Sequence, residues 1–161
     1  MTEMRELDRK ILLQLLRDSR QSVVQLARRV GASRQTVARR LRQLRKLGVI
    51  ESFTARLDPE KLGLGTRAYI FLREVPRAEV RRKNEDVIKK LRQVSGFHRL
   101  FGEYSAILEV RIKNSRELTA LVKRIHGLRG ISGTETFIVH STVKDRPEEP
   151  FVEALIKEAM E

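Results

Sequence analysis

The stretch SVVQLARRVGASRQTVARRLRQLRKL, residues 22–47, decides how this chain reads. Ser22 followed three residues later by Gln25 is a capping box, in which each side chain bonds a backbone NH that a helix start leaves unpaired. A short helix over Val23 to Val30 follows. Gly31 suits the positive φ that a helix exit often requires, and Ser33 can accept from the free NH groups of a further helix. With only Ala32 between them, Gly31-Ala32-Ser33 is the three-residue turn of a helix-turn-helix unit, whose second helix is presented to the major groove of DNA.

That second helix, expected from Arg34 to Leu47, puts Val37, Leu41 and Leu44 on its buried side. The opposite side carries Gln35, Arg39, Arg42 and Lys46, flanked by Thr36, Arg40 and Gln43. Arg can donate two bonds to guanine and Gln can pair twice with adenine, while Lys and outlying Arg residues meet phosphates. Gln35, Thr36 and Arg39 are therefore expected on bases, and Arg34, Arg40, Arg42 and Arg28 on phosphates, with Ser33 at the helix start completing the DNA-binding set. A solvated basic face is the other reading of such a helix taken alone, and the capped turn in front of it weighs against that reading.

Working outward, Leu7, Ile11, Leu12, Leu15 and Leu16 recur at helical spacing and predict a first helix from Glu6 to Asp18. After the third helix, Gly48-Val49-Ile50 opens an extended stretch to Leu57, a short strand or wing. Asp58-Pro59-Glu60 reads as a cap with Pro at the first helical position, ended by Gly63. The head is thus expected over residues 1–52 and a connector over 53–65.

Beyond Gly65 strands and helices alternate. A strand is expected over Thr66 to Val75, with Ala68, Ile70 and Leu72 on its inner face, then a helix over residues 79–95, stopped by Gly96. Phe97 to Phe101 and Ala106 to Ile112 form a hairpin across Gly102-Glu103-Tyr104-Ser105. Asn114 and Glu117 cap a second helix carrying Leu118, Leu121, Val122 and Ile125 inward, and Glu135 to Val143 supplies the last strand. Strand, helix, strand, strand, helix, strand over residues 66–143 is the split βαβ, ferredoxin-like order. The fold class is α+β: a winged helix-turn-helix, a ferredoxin-like βαββαβ domain and a C-terminal helix. The tail, residues 144–161, carries Phe151, Val152, Leu155, Ile156 and Ala159 at helical spacing and is expected on the second domain or on a neighbouring subunit. Tyr69, Phe71 and Phe137 point to the sheet face that the helices leave open. Either a partner subunit or the chain's own tail covers that face.

Composition limits the function. Lys and Arg number 34 against 21 Asp and Glu, a net charge of +13, which attracts polyanions. Residues 1–58 hold 14 basic and 6 acidic side chains, net +8, so the polyanion is expected on the head. Cysteine is absent, which excludes disulfides, thiol nucleophiles and Cys-based metal sites. His98, His126 and His140 show no paired spacing, so no metal or cofactor is expected. No apolar run is long enough to span a membrane and Met1 to Arg9 is polar, so a cytoplasmic, nucleoid-associated protein is expected.

With that order established, Leu7 to Val143 resembles the Lrp/AsnC, or feast/famine, family of prokaryotic transcription regulators. The carriers are Leu7-Asp8-Arg9-Lys10-Ile11-Leu12, Leu26-Ala27-Arg28-Arg29-Val30-Gly31, Ser33 through Arg39-Arg40-Leu41-Arg42-Gln43-Leu44 into Gly48-Val49-Ile50, and Phe53-Thr54-Ala55 with Leu57-Asp58-Pro59 and Leu62-Gly63. The resemblance implies a sequence-specific regulator of double-stranded DNA whose sheet domains dimerise back to back, the homodimers assembling into octamers around which DNA bends. It also implies an amino-acid effector bound between dimers, near a turn that the family commonly writes Gly-Asp-Tyr-Asp. Here Gly102, Glu103, Tyr104 and Ser105 stand at that turn, with Thr134 and Thr136 matching a threonine pair in the last strand. The closing carboxylate is replaced by Ser105, which removes a partner for an α-amino group, and a plain hairpin turn is the competing reading.

Two other functions compete. A DNA-coating protein needs only the charge, but the mixed Gln, Thr and Arg of the third helix argue against it. An enzyme finds little support, because no Gly-rich phosphate loop, His-Glu-x-x-His run or Gly-x-Ser-x-Gly elbow is present.

Overall fold

The computed structural model describes residues 4–157. The polar start at Met1 and the expected apolar position Ala159 lie outside the described residues. The chain divides into two compact units: one holds the residues up to Arg56 together with those from Lys144 on, and the other is Leu57–Val143.

In the first unit, α1 (Glu6–Arg17), α2 (Val23–Val30) and α3 (Arg34–Lys46) enclose a small core of Ile11, Leu26, Ala27, Val30, Val37 and Leu44. Both expected caps form. The Gln25 NH donates to Ser22 Oγ at 3.2 Å and the Ser22 NH donates to Gln25 Oε1 at 2.9 Å. Gly31 adopts φ 68°, the left-handed conformation that lets α2 end within one residue. The stretch after α3, expected as a short strand or wing, has no strand partner among the described residues. Ile50 turns into the core, and residues 51–58 are exposed with their backbone unladdered. At Asp58-Pro59 the expected cap is present, the Glu60 NH donating to Asp58 Oδ1 at 3.0 Å, but it opens a turn ended by Gly63 rather than a helix.

The tail departs from expectation. Its helix α6 (Glu149–Lys157) lies against α1 rather than on the second domain. Both helices belong to the first unit.

The second unit is a four-stranded antiparallel sheet in the order β2-β3-β1-β4, built from β1 (Thr66–Glu74), β2 (Val94–Arg99), β3 (Ala106–Ile112) and β4 (Ile131–Ile138). Helices α4 (Ala78–Ile88) and α5 (Ser115–His126) cover one face, enclosing Ala68, Ile70, Leu72, Leu108, Val110 and Ile112 with Ile88, Leu121 and Ile125. The helix expected over 79–95 ends at Ile88. The chain then tightens, with the Leu91 NH donating to the Ile88 carbonyl, so Leu91 stays buried while Val94 already pairs with Val110. Gly96 stops no helix. It lies in β2 where the register shifts, and Ser95 is the extra residue of a bulge. The last strand starts at Ile131 and ends at Ile138, which stands opposite Ala68 of β1, and a single further bond follows, the Val139 NH donating to the Arg67 carbonyl at 2.9 Å.

Gly130 fixes the entry into β4. Its φ is 79°, and a Cβ there would lie 2.6 Å from Val80 Cγ1 and 2.8 Å from Val75 Cγ2. Gly130→Ala is expected to destabilise the second unit by about 2–4 kcal/mol, from left-handed strain plus overpacking. Thermal or urea unfolding reads this directly, and an unchanged midpoint contradicts it.

Candidate nucleic-acid interface

The third helix is held at its start by Ser33, whose Oγ accepts from the Thr36 NH at 3.1 Å and lies 2.8 Å from the Thr36 hydroxyl. Val37 and Leu44 are buried, and Leu41 packs beside them. Gln35, Arg39 and Arg42 are exposed on the outer side together with Gln43, Arg45 and Lys46, while Thr36 is half-buried. Arg34 is exposed at the helix start, Arg28 and Arg29 are exposed on α2, and none of these arginines forms an ion pair among the described residues. The outcome is a row of free donors on a helix whose opposite side is fixed to the fold.

Arg40 corrects the sequence reading. It was expected on phosphates, yet it is 7% exposed and donates from Nε to Asp8 Oδ1 at 2.6 Å and from Nη2 to Asp8 Oδ2. Its Nη1 donates to Gln43 Oε1 at 2.6 Å. Asp8 itself is 2% exposed, so two charges are withdrawn from water together, each in the two-pronged geometry that such burial requires. The bonds to Asp8 hold the Arg40 proton more tightly than a free guanidinium holds its own. Arg40 therefore ties α3 to α1 and is not available to DNA. A signal existed: Arg40 stands three residues after Val37 and four before Leu44, which places it on the buried side.

The turn region of the second unit has a different architecture. Tyr104 packs on Phe71 with ring centroids 4.9 Å apart, and Phe71 meets Phe137 edge-on at 5.6 Å. The Tyr104 hydroxyl donates to Glu135 Oε2 at 2.6 Å, and Arg73 lies over its ring at 4.5 Å. Arg73 Nη2 also reaches Glu103 Oε1 at 2.5 Å and Glu135 Oε1 at 2.8 Å. The Tyr104 hydroxyl and Arg73 hold the Glu135 carboxyl below the usual range, and the same bond to Glu135 raises the Tyr104 hydroxyl. One cation between two carboxylates leaves a residual negative charge.

Ser105 turns away from this group. Its Oγ donates to the Leu72 carbonyl at 2.9 Å and lies 3.5 Å from the buried Glu74 carboxylate, which Arg99 and Asn84 hold. Gly102 is exposed at the tip. Thr134 and Thr136 pair with Leu72 and Ile70, so they share the helix-covered side, whereas Glu135 and Phe137 share the open side with Tyr104. Within one chain the sheet separates the two threonines from the turn. Sequence reasoning missed Arg73 and Glu135; the parity of Arg73 with Phe71, and of Glu135 with Phe137, was the available signal.

Among the described residues, no group of three or more His, Asp or Glu side chains could hold a metal ion, and no helix is long and apolar enough to cross a membrane.

Comparison with known proteins agrees with this geometry. Residues 4–51 match the winged helix-turn-helix DNA-binding family model, and residues 67–149 match the Lrp/AsnC ligand binding domain. The HTH-type transcriptional regulator FL11 of Pyrococcus horikoshii is 32% identical over 90% of this chain and 95% of its own length. The proline dehydrogenase transcriptional activator of Rhizobium radiobacter is 34% identical over 86% of this chain and 90% of its own. Among solved structures, an AsnC family transcriptional regulator from Agrobacterium tumefaciens superposes with a TM-score of 0.85 at 28% identity, covering 92% of this chain and 97% of that one. A Neisseria meningitidis transcriptional regulator in complex with L-Met shares the fold, with a TM-score of 0.87 at 24% identity, covering 94% and 99%. With a DNA-binding head, a ligand-binding-type sheet domain and relatives matching along nearly its whole length, the chain belongs to the Lrp/AsnC family of DNA-binding transcription regulators.

Proposed function

We propose that the chain acts as a cytoplasmic, nucleoid-associated homodimer, assembling further to an octamer, that places two copies of α3 in successive major grooves of a pseudo-palindromic operator. The exposed donor row on an anchored helix carries this reading. Gln35, Thr36 and Arg39 address bases, while Ser33, Arg34, Arg42 and Arg28 address the backbone. Dimerisation uses the open sheet face, where Tyr69, Phe71 and Phe137 lie and Phe137 is 56% exposed. The chemistry is binding rather than catalysis.

An amino acid modulates the assembly in this reading, near Gly102, Glu103, Tyr104 and Ser105. The residual negative charge of Glu103, Arg73 and Glu135 suits an α-ammonium group. Since Thr134 and Thr136 lie across the sheet, they reach an effector at such a turn only from another subunit.

Arg39→Ala tests the helix. The loss on the operator is expected to be about 1–3 kcal/mol, with relaxed base preference at one position. Binding measured on the operator, on single-base variants and on unrelated DNA separates the outcomes: an equal loss on every sequence means that Arg39 meets only phosphate. Wild-type discrimination between operator and unrelated DNA is expected at ~10³ or more, which a coating protein does not show.

A further inference from the structure

The charge of the second unit is segregated. Residues 77–92 and 113–129, which contain α4, α5 and their ends, carry twelve basic and four acidic side chains, net +8. The remainder of the second unit, within residues 57–143, holds five basic and six acidic, net −1. Both helices cover the same sheet face, so this excess forms the outer surface of one layer.

Within that layer two of the four acids are engaged and most of the bases are not. Glu85 is held by Arg99 at 2.7 Å, which keeps its carboxyl below the usual range, and Glu117 accepts from the Lys113 NH at 2.9 Å. Along α4 and its exit, Arg77, Arg82, Lys83, Lys90 and Arg92 are exposed and form no ion pair among the described residues; on α5 and its exit the same holds of Arg116, Lys123, Arg124 and Arg129. Only Glu79 and Asp86 remain beside these nine as unpaired exposed acids among the described residues. A cavity of about 390 Å³ opens into the layer, with Arg77, Lys83 and Arg129 in its walls and Glu79 as its one acidic lining residue. The layer faces away from the open side of the sheet, so a second copy seated there leaves it uncovered.

We infer that the α4–α5 layer is a second DNA-binding surface, a sequence-independent track for the phosphate backbone of duplex that extends beyond the operator. Uncompensated like charges on one face destabilise a fold by self-repulsion and are relieved by a polyanion, and duplex DNA is the polyanion that the head already brings to this molecule. The track adds affinity by releasing counterions and adds no base preference. It engages DNA longer than the heads themselves cover, which favours bending of the duplex around the protein.

Full-length protein carrying Arg77→Gln, Lys83→Gln and Arg129→Gln tests this on two duplexes that share one selected operator, about 25 and about 150 base pairs long. On the long duplex the triple variant is expected to bind about tenfold or more weakly near 0.1 M salt, and the slope of log affinity against log salt is expected to fall by about 2–3 for each protomer whose layer meets the duplex, since each lost phosphate contact removes about 0.9. On the short duplex both quantities stay at wild-type values. A second set on the other helix, Arg116→Gln, Lys123→Gln and Arg124→Gln, is expected to act alike, and matched unfolding midpoints and assembly mass show that the variants are folded. Should both sets leave the long-duplex slope unchanged, the inference is overturned, and the layer serves another acidic partner, such as a protein. Arg39→Ala reports on the head separately, because it weakens the short and the long duplex together.

Discussion

Arg40→Ala is expected to cost the head about 3–5 kcal/mol, although it changes an arginine on the recognition helix of a DNA-binding protein. The reason is what remains behind. Asp8, 2% exposed, loses both of its guanidinium bonds and is left as a carboxylate with neither water nor a cation. Asp8→Ala is expected to do comparable damage from the other side. Replacing both with leucine restores most of the stability, because an apolar pair of similar bulk leaves no group unsatisfied. A double-mutant cycle in urea, at fixed protein concentration, gives the coupling between the two sites. An Arg40→Ala protein with wild-type stability and weakened binding on all DNA would return Arg40 to the phosphate role that the sequence reading assigned to it.

The second large effect is ionic. Arg28, Arg29, Arg34, Arg42, Arg45 and Lys46 are exposed around the outer side of the head. If three to five of them per protomer meet phosphates, a dimer neutralises about 6–10, and affinity is expected to fall by about 10³–10⁵ between 50 and 200 mM salt. Base contacts contribute little to this slope, so Arg39→Ala should lower affinity while nearly preserving it, whereas Arg42→Ala should reduce the slope by about 1–2 for the two protomers. A response below tenfold over that range contradicts a phosphate-dominated interface.

Local chemistry made the head legible. The capping box at Ser22 and Gln25, the left-handed Gly31 and the Ser33 cap each satisfy or free specific backbone groups within a few residues, so α2 is where the spacing predicts it. Arg40 was misread because its charge was given more weight than its position between Val37 and Leu44; a buried cation requires a partner 32 residues away, which no local pattern reveals. The ends of α4 and β4 were misplaced for a related reason. Leu91 and Val94 continue the helical spacing although one closes a turn and the other begins a strand, and the bounds of β4 follow its pairing with β1, from Glu74 opposite Ile131 to Ala68 opposite Ile138. The turn residues were found, but the side of the sheet on which Thr134 and Thr136 sit depends on the register with β1, a fact of pairing rather than of sequence order.

The Asp8–Arg40 clamp also separates two tasks that one short helix must perform. Because the clamp, Val37 and Leu44 hold α3 from behind, the exposed positions 35, 39 and 42 bear none of the head's buried packing. On the proposed reading a descendant can acquire a new target by exchanging Gln35 or Arg39, with the scaffold that presents them left as it was.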